Sequence, residues 1–320
     1  VATTQTSYVT SNTIQNISLE TAGGNSSLTG IWSAEGLVSI GVNSLGNAAG
    51  NLIGDSVSAY PGKWISISTG TGNGTLSGIW ATNYTNAATI SNNTISGFNT
   101  FNSGLVAHNF KGIYAYSSFY SSGNTYVRNN KVRSIILSST GTSSFTGLDL
   151  AGTNGTTPTY HVLTITGNQI GSTTLDTSVT NKGSGAFYGI NPLTYVNGGV
   201  ISNNNLSGLL LRTLGNQAVG INFSSPYAVG VTIAGNTLRK IRLFEQGALA
   251  TPFYGILNAA TGNIIIGGNT PADGNILTDL ENRSPHNASL MQGIVTRGGV
   301  NTIKNNRITR LAGFAANANA

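Results

Sequence analysis

The sequence of 320 residues contains no cysteine, so neither a disulfide framework nor thiol chemistry is open to it. Charge is scarce as well. Asp, Glu, Lys and Arg make up 8% of the chain, against about a quarter in an ordinary globular protein. No apolar run reaches the length of a bilayer span, and the longest, such as Asn263-Ile264-Ile265-Ile266, are strand-sized. The Ala, Glu, Lys and Leu content of a helical bundle is missing, and no stretch keeps a helical apolar period. Regularly spaced β-branched residues supply a core and argue against disorder.

Catalytic constellations are missing too. The acids are Glu20, Glu35, Asp55, Asp149, Asp176, Glu245, Asp273, Asp279 and Glu281, and no two take matching places in adjacent repeats. Glycoside hydrolysis needs two carboxyls across one bond, and nothing here supplies the pair. Asp279 and Glu281 are close in sequence, but with Arg283 they read as a surface ion pair in a long connection, 270–291. His108, His161 and His286 fall in different repeats, so no metal centre is expected, nor any cofactor. Gly70-Thr-Gly-Asn-Gly74 lacks the helix and lysine of a phosphate loop. The net charge of +6 comes from few acids, and the bases lean towards the C-terminus: Arg239, Lys240, Arg242, Arg297, Lys304, Arg307 and Arg310. They fit either solvated outer faces or contact with an anionic polymer. Base–aromatic interleaving is missing, so no nucleic acid is expected as a partner, and no membrane insertion.

What is present is a repeat. In Ile303-Lys304-Asn305-Asn306-Arg307-Ile308 a β-branched residue is followed three places later by Asn, and two places after that by an aliphatic residue. The pattern centres on Asn12, Asn43, Asn93, Asn130, Asn168, Asn204, Asn236, Asn269 and Asn306, spaced 31 to 50 residues apart. At Asn269 only the first half survives, because Pro271 takes the aliphatic place. A second mark, Gly followed by Ile or Leu, recurs from Gly30-Ile31 to Gly293-Ile294, with an apolar residue two places before each Gly in most repeats. Both apolar positions read as buried although they lie three apart, which predicts a bend at the Gly and a strand beginning there.

Three short strands per repeat follow, with the Asn at the corner between the second and third. Equivalent strands of successive repeats must stack in parallel, and such crossovers are right-handed. The sequence therefore predicts an all-β right-handed parallel β-helix with three parallel sheets and about nine coils. It forms one domain over 1–320 and a rod about 40 Å long. Each corner Asn is expected to hydrogen-bond its counterpart in the next coil. Long loops at 139–159, 171–187 and between Asn43 and Asn93, the last with an extra strand at 64–68, carry the surplus residues. Val1 begins no signal peptide and neither end shows a capping helix. The chain reads as a segment of a longer protein or fibre, with further coils of the same or neighbouring chains as partners.

Ile201-Ser-Asn-Asn-Asn-Leu206 and Tyr188-Gly-Ile190 resemble the right-handed parallel β-helix repeat of pectate-lyase-like proteins. The style of Thr89-Ile-Ser-Asn-Asn-Thr-Ile95 is similar to that of very large secreted surface proteins of Bacteroidetes. The resemblance implies the fold over nearly the whole chain and an extracellular or cell-surface place. It does not imply an activity, because this fold carries lyases, hydrolases, adhesins and passive stalks. The lyases use carboxylate clusters for calcium and a Lys or Arg base, and the hydrolases use Asp-Asp and Gly-His-Gly motifs; neither set is here.

One outward pattern remains. The residues after the Gly-Ile mark are Trp32, Trp80, Tyr114, Asp149, Asn191 and Asn222. If the Ile side chains point inward, their successors point outward, and three aromatics form a stripe that could bind the faces of sugars unless loops cover it. The function expected is structural or adhesive, without catalysis. The alternative is a carbohydrate-binding or polysaccharide-degrading β-helix. Coils of such variable length do not suit an ice-binding solenoid.

Overall fold

A computed structural model describes residues 6–21, 23–34, 36–55, 65–69, 72–83, 88–100, 106–117, 124–152, 161–212, 216–225, 228–244, 250–284 and 289–313. They form a parallel β-helix of three sheets. One coil shows the path. Thr125–Arg128 lies in sheet 1, Lys131–Leu137 in sheet 2 and Phe145–Gly152 in sheet 3. Leu163–Thr166 then returns to sheet 1, in register beside Thr125–Arg128. Sheet 1 has nine strands and sheet 3 eight. Sheet 2 has nine on its main path and three short ones, Ile17–Thr21, Ile65–Thr69 and Val179–Asn181, which complete coils whose strand is interrupted.

The inward residues of all three sheets form one continuous core. In sheet 1 the β-branched residues of the repeat, from Ile40 and Ile90 through to Ile266, are fully buried. In sheet 3 the rings of Phe110, Phe145 and Phe187 stack in register, with centroids 5.3 and 5.2 Å apart. This stacking accounts for the low charge. Equivalent positions of neighbouring coils lie about 4.8 Å apart, so a charged column would repel itself coil after coil.

The corner between sheets 1 and 2 carries the asparagine ladder. Each ladder Asn donates from its backbone N and its Nδ2 to the Oδ1 of the ladder Asn in the next coil. Asn168, for example, reaches Asn204 Oδ1 at 3.0 and 2.9 Å. Its Nδ2 also reaches back to the carbonyl of the preceding coil's β-branched residue, Val127 O, at 2.8 Å. The residue before most of these Asn takes the left-handed conformation, as at Asn92 (φ 62°), Asn129 (φ 54°) and Gly167 (φ 68°), which explains the recurrent Asn-Asn and Gly-Asn pairs.

The ladder runs Asn12, Asn51, Asn93, Asn130, Asn168, Asn204, Asn236, Asn275, Asn306. Asn43 and Asn269 stand outside it, contrary to the sequence reading. Ile40 and Ile266 end their sheet 1 strands as expected, but in both coils extra residues separate the strand from the corner. Asn43 closes a turn on itself, its Oδ1 accepting from the amides of Leu45 and Asn47. After Asn269, Pro271–Asp273 forms a 3-10 turn, and the chain reaches the corner only at Asn275. The true spacing is 31 to 42 residues, more even than the motif alone gives. As a consequence Asp279 and Glu281, expected in a loop, lie on the sheet 2 strand Ile276–Asn282.

The Gly-Ile mark is a bend inside a strand rather than the start of one. Gly189 lies within Phe187–Leu193. Pairing runs Tyr188 with Val219, skips the glycines, and resumes at Ile190 with Ile221. Phe187 and Ile190 are both fully buried across this bend. A Cβ on Gly189 would lie 2.2 Å from Leu206 Cδ2 and 2.5 Å from the Gly220 carbonyl. Leu206 is the aliphatic residue two places after ladder residue Asn204. Gly112 meets Val132 and Gly147 meets Ile170 in the same way. The two marks of the repeat are thus complementary: the glycine leaves the space that the aliphatic residue fills across the core.

Candidate functional site

The bend at each glycine has a consequence on the outer face of sheet 3. The residue just before the Gly and the second residue after it both face outward, giving two adjacent columns. Trp32, Trp80 and Tyr114 stand in register in one of them. The Trp80 and Tyr114 rings lie 4.2 Å apart between centroids, tilted by 35°. Trp32 is 72% exposed, while Trp80 and Tyr114 are partly covered.

Trp32 and Trp80 form one wall of an open cleft of about 410 Å³, completed by Ser27, Thr29, Thr75 and Ser77. That is the size range of small-molecule sites. Ser77 is fully buried and its Oγ has no hydrogen-bond partner among the described residues. The cleft thus joins two indole faces to a row of hydroxyls, a combination that suits a polyhydroxylated ligand with an apolar face.

Further along the stripe the chemistry changes. Lys111 Nζ stands over the rings of Tyr114 and Trp80, 4.3 and 5.5 Å from their centroids. It pairs with Asp149 Oδ2 at 2.7 Å. Asp149 Oδ1 accepts from Asn191 Nδ2 at 2.9 Å, and Asn191 Oδ1 accepts from Asn222 Nδ2 at 2.7 Å. Asp149, Asn191 and Asn222 are all buried, and beyond them Val219, Tyr254 and Leu257 form a second apolar cluster on this outer face. The stripe is therefore open at its N-terminal end and covered at the other.

The other residues singled out in the sequence stay apart. Among the described residues no three His, Asp or Glu side chains converge on one point. His108 and His161 are buried, and the burial of His108 holds its imidazole below the ordinary value of 6.5. Asp279 pairs with Arg310 and Glu281 with Arg283. Glu35, Trp64, Glu245, His286 and the loop 153–160 lie outside the described residues. Sequence reasoning missed Lys111 and the hydroxyl row. The available signal was the bend itself: once the Gly is a bend, Lys111 and Tyr114 must share the outer face.

No protein-family model matches the chain, and no curated protein or solved structure is significantly similar to it.

Proposed function

We propose that this protein is a non-catalytic structural or adhesive β-helix of a secreted cell-surface protein or extracellular filament, whose outer face holds extracellular polysaccharide. In this reading its coils are of the pectate-lyase-like kind, in the style of large Bacteroidetes surface proteins. The observation that carries it is the make-up of the aromatic cleft. Indole faces and hydroxyls line it with no carboxylate among the described lining residues, and Asp149, further along the same outer face, is bound to Lys111 and Asn191. Such a surface favours binding over acid–base chemistry. Affinity electrophoresis in gels containing neutral polysaccharides tests it. At least one polymer should retard the protein, and Trp32→Ala with Trp80→Ala should abolish the retardation. Retardation unchanged in that double variant would remove the cleft from the account.

Partners of the second kind are further coils. The last described coil exposes Ile303 and Ile308, and the Asn306 amide donates to no further ladder Asn among the described residues. At the other end Asn12 donates to Asn51, while its own Oδ1 receives no ladder bond among the described residues. A donor at one end and an acceptor at the other suit head-to-tail stacking. Sedimentation and electron microscopy would reveal rods longer than one chain. The alternative reading is a polysaccharide-degrading enzyme. It is favoured only by the Lys111–Asp149 pair beside the aromatics, with Lys111 as the base.

A further inference from the structure

The outer face of sheet 2 differs from that of sheet 3. Over four successive coils it carries Lys182, Arg212, Arg239, Lys240, Arg242 and Arg283, against Asp176, Asp279 and Glu281 among the described carboxylates, Asp279 being paired with Arg310 of the next coil. Most of these cations are engaged. Lys240 pairs with Asp176 at 2.7 Å, and Glu281 lies 2.8 Å from Arg283 and 3.7 Å from Arg242. Arg239 donates to the Thr173 carbonyl at 2.7 Å. Among the described residues the side chains of Lys182 and Arg212 make no ion pair, and Arg212 Nε is buried without a hydrogen-bond partner there.

These two cations flank a groove of about 220 Å³. Leu210 and Phe244, the latter 38% exposed, line it with them. Asn181 and Leu211 turn into the core, so the residues on either side of each face outward into the groove.

We propose that this groove binds a linear polysaccharide bearing carboxylate or sulfate groups, laid along the rod axis across these coils. Lys182 and Arg212 sit at equivalent places one coil apart, about 4.8 Å along the axis, with Arg283 two coils further on. A sugar chain with regularly spaced anionic groups presents charge on the same scale. The guanidinium of Arg212 offers a fork of donors for a carboxylate or sulfate. Leu210 and Phe244 supply apolar surface for the C–H face of a pyranose ring. A nucleic acid fits less well. The groove holds one aromatic ring, and Arg283 already stands 5.1 Å from its centroid, so no series of bases can stack. The proposal extends the adhesive reading to a second surface, on a different sheet from the aromatic cleft, and either site can fail without the other.

The test is retention of the full chain on immobilised dextran sulfate, polygalacturonate and uncharged dextran at low and high salt. Binding to at least one anionic polymer, weakened by salt and not seen on dextran, is expected; which polymer binds tells sulfate from carboxylate. Lys182→Gln with Arg212→Gln should weaken it about tenfold or more with unchanged circular dichroism. Arg212→Lys should weaken it less, and Trp32→Ala with Trp80→Ala should leave it intact. Unchanged retention in the Lys182/Arg212 variant would overturn the proposal. So would short duplex DNA binding as tightly at the same ionic strength and losing affinity in the same variant, because the face would then be an unspecific cationic field.

Discussion

Replacing Asn204 by Ala tests the ladder where its neighbours are known. Asn204 Oδ1 is the acceptor for the Asn168 backbone amide at 3.0 Å and for Asn168 Nδ2 at 2.9 Å. Its own Nδ2 donates to Asn236 Oδ1 at 2.9 Å and to the Ile165 carbonyl at 3.0 Å. After truncation Asn168 Nδ2 keeps Val127 O, and Asn236 Oδ1 keeps the amide of residue 204. The Asn168 amide and the Ile165 carbonyl lose these partners in a fully enclosed corner. At about 1–3 kcal/mol for each of the two buried groups left unmade, Asn204→Ala should cost roughly 2–6 kcal/mol. The matched control is Asn43→Ala. Asn43 follows the same motif but lies outside the ladder, in a turn that water can reach, and its loss should cost less than about 1 kcal/mol. Urea unfolding followed by circular dichroism compares the two, and amide exchange at residue 168 reports the local opening. Equal midpoints for Asn204→Ala and Asn43→Ala would refute the ladder as a source of stability.

Gly189→Ala places a Cβ 2.2 Å from Leu206 and 2.5 Å from the Gly220 carbonyl, and should destabilise by roughly 1–3 kcal/mol through overpacking. Adding Leu206→Val should recover only part of the loss in urea titrations, because the carbonyl contact remains. Burial holds His108 below its ordinary 6.5, so the unfolded chain binds the proton more readily than the folded one. Stability from this group is complete above pH 6.5 and is lost as the pH falls from there towards the lowered folded value. His108→Gln should flatten the dependence of the urea midpoint on pH across that window.

Much of the fold is legible in the sequence because stacking imposes it on every coil. Outside the coils of Asn51 and Asn275, a ladder Asn has a left-handed residue before it and an aliphatic residue after it, and this triple recurs with little variation. It misleads at two coils for a physical reason. Asn43 and Asn269 lie at the motif spacing from Ile40 and Ile266, but turns inserted after those strands move the corner to Asn51 and Asn275. The loss of the aliphatic residue at Pro271 was the visible warning. The Gly mark was legible as a bend, but its cause was not. That cause is the Leu, Ile or Val arriving from the opposite sheet, a contact between residues 15 to 23 apart in the chain. The aromatic stripe follows from register alone, because Trp32, Trp80 and Tyr114 hold the same place in three coils. Its exposure at one end, and the Lys111–Asp149 pair that closes off the other, depend on contacts between columns that a repeat motif does not encode.

The central claim is that this rod binds without turning over what it binds. The most direct measurement is to incubate the full chain with each polysaccharide that retains it, with and without calcium, and to quantify new reducing and unsaturated ends over time. The account predicts retention with no new ends above a protein-free control. New ends that accumulate with time and vanish in Lys111→Met or Asp149→Asn would contradict it and establish the enzyme reading instead.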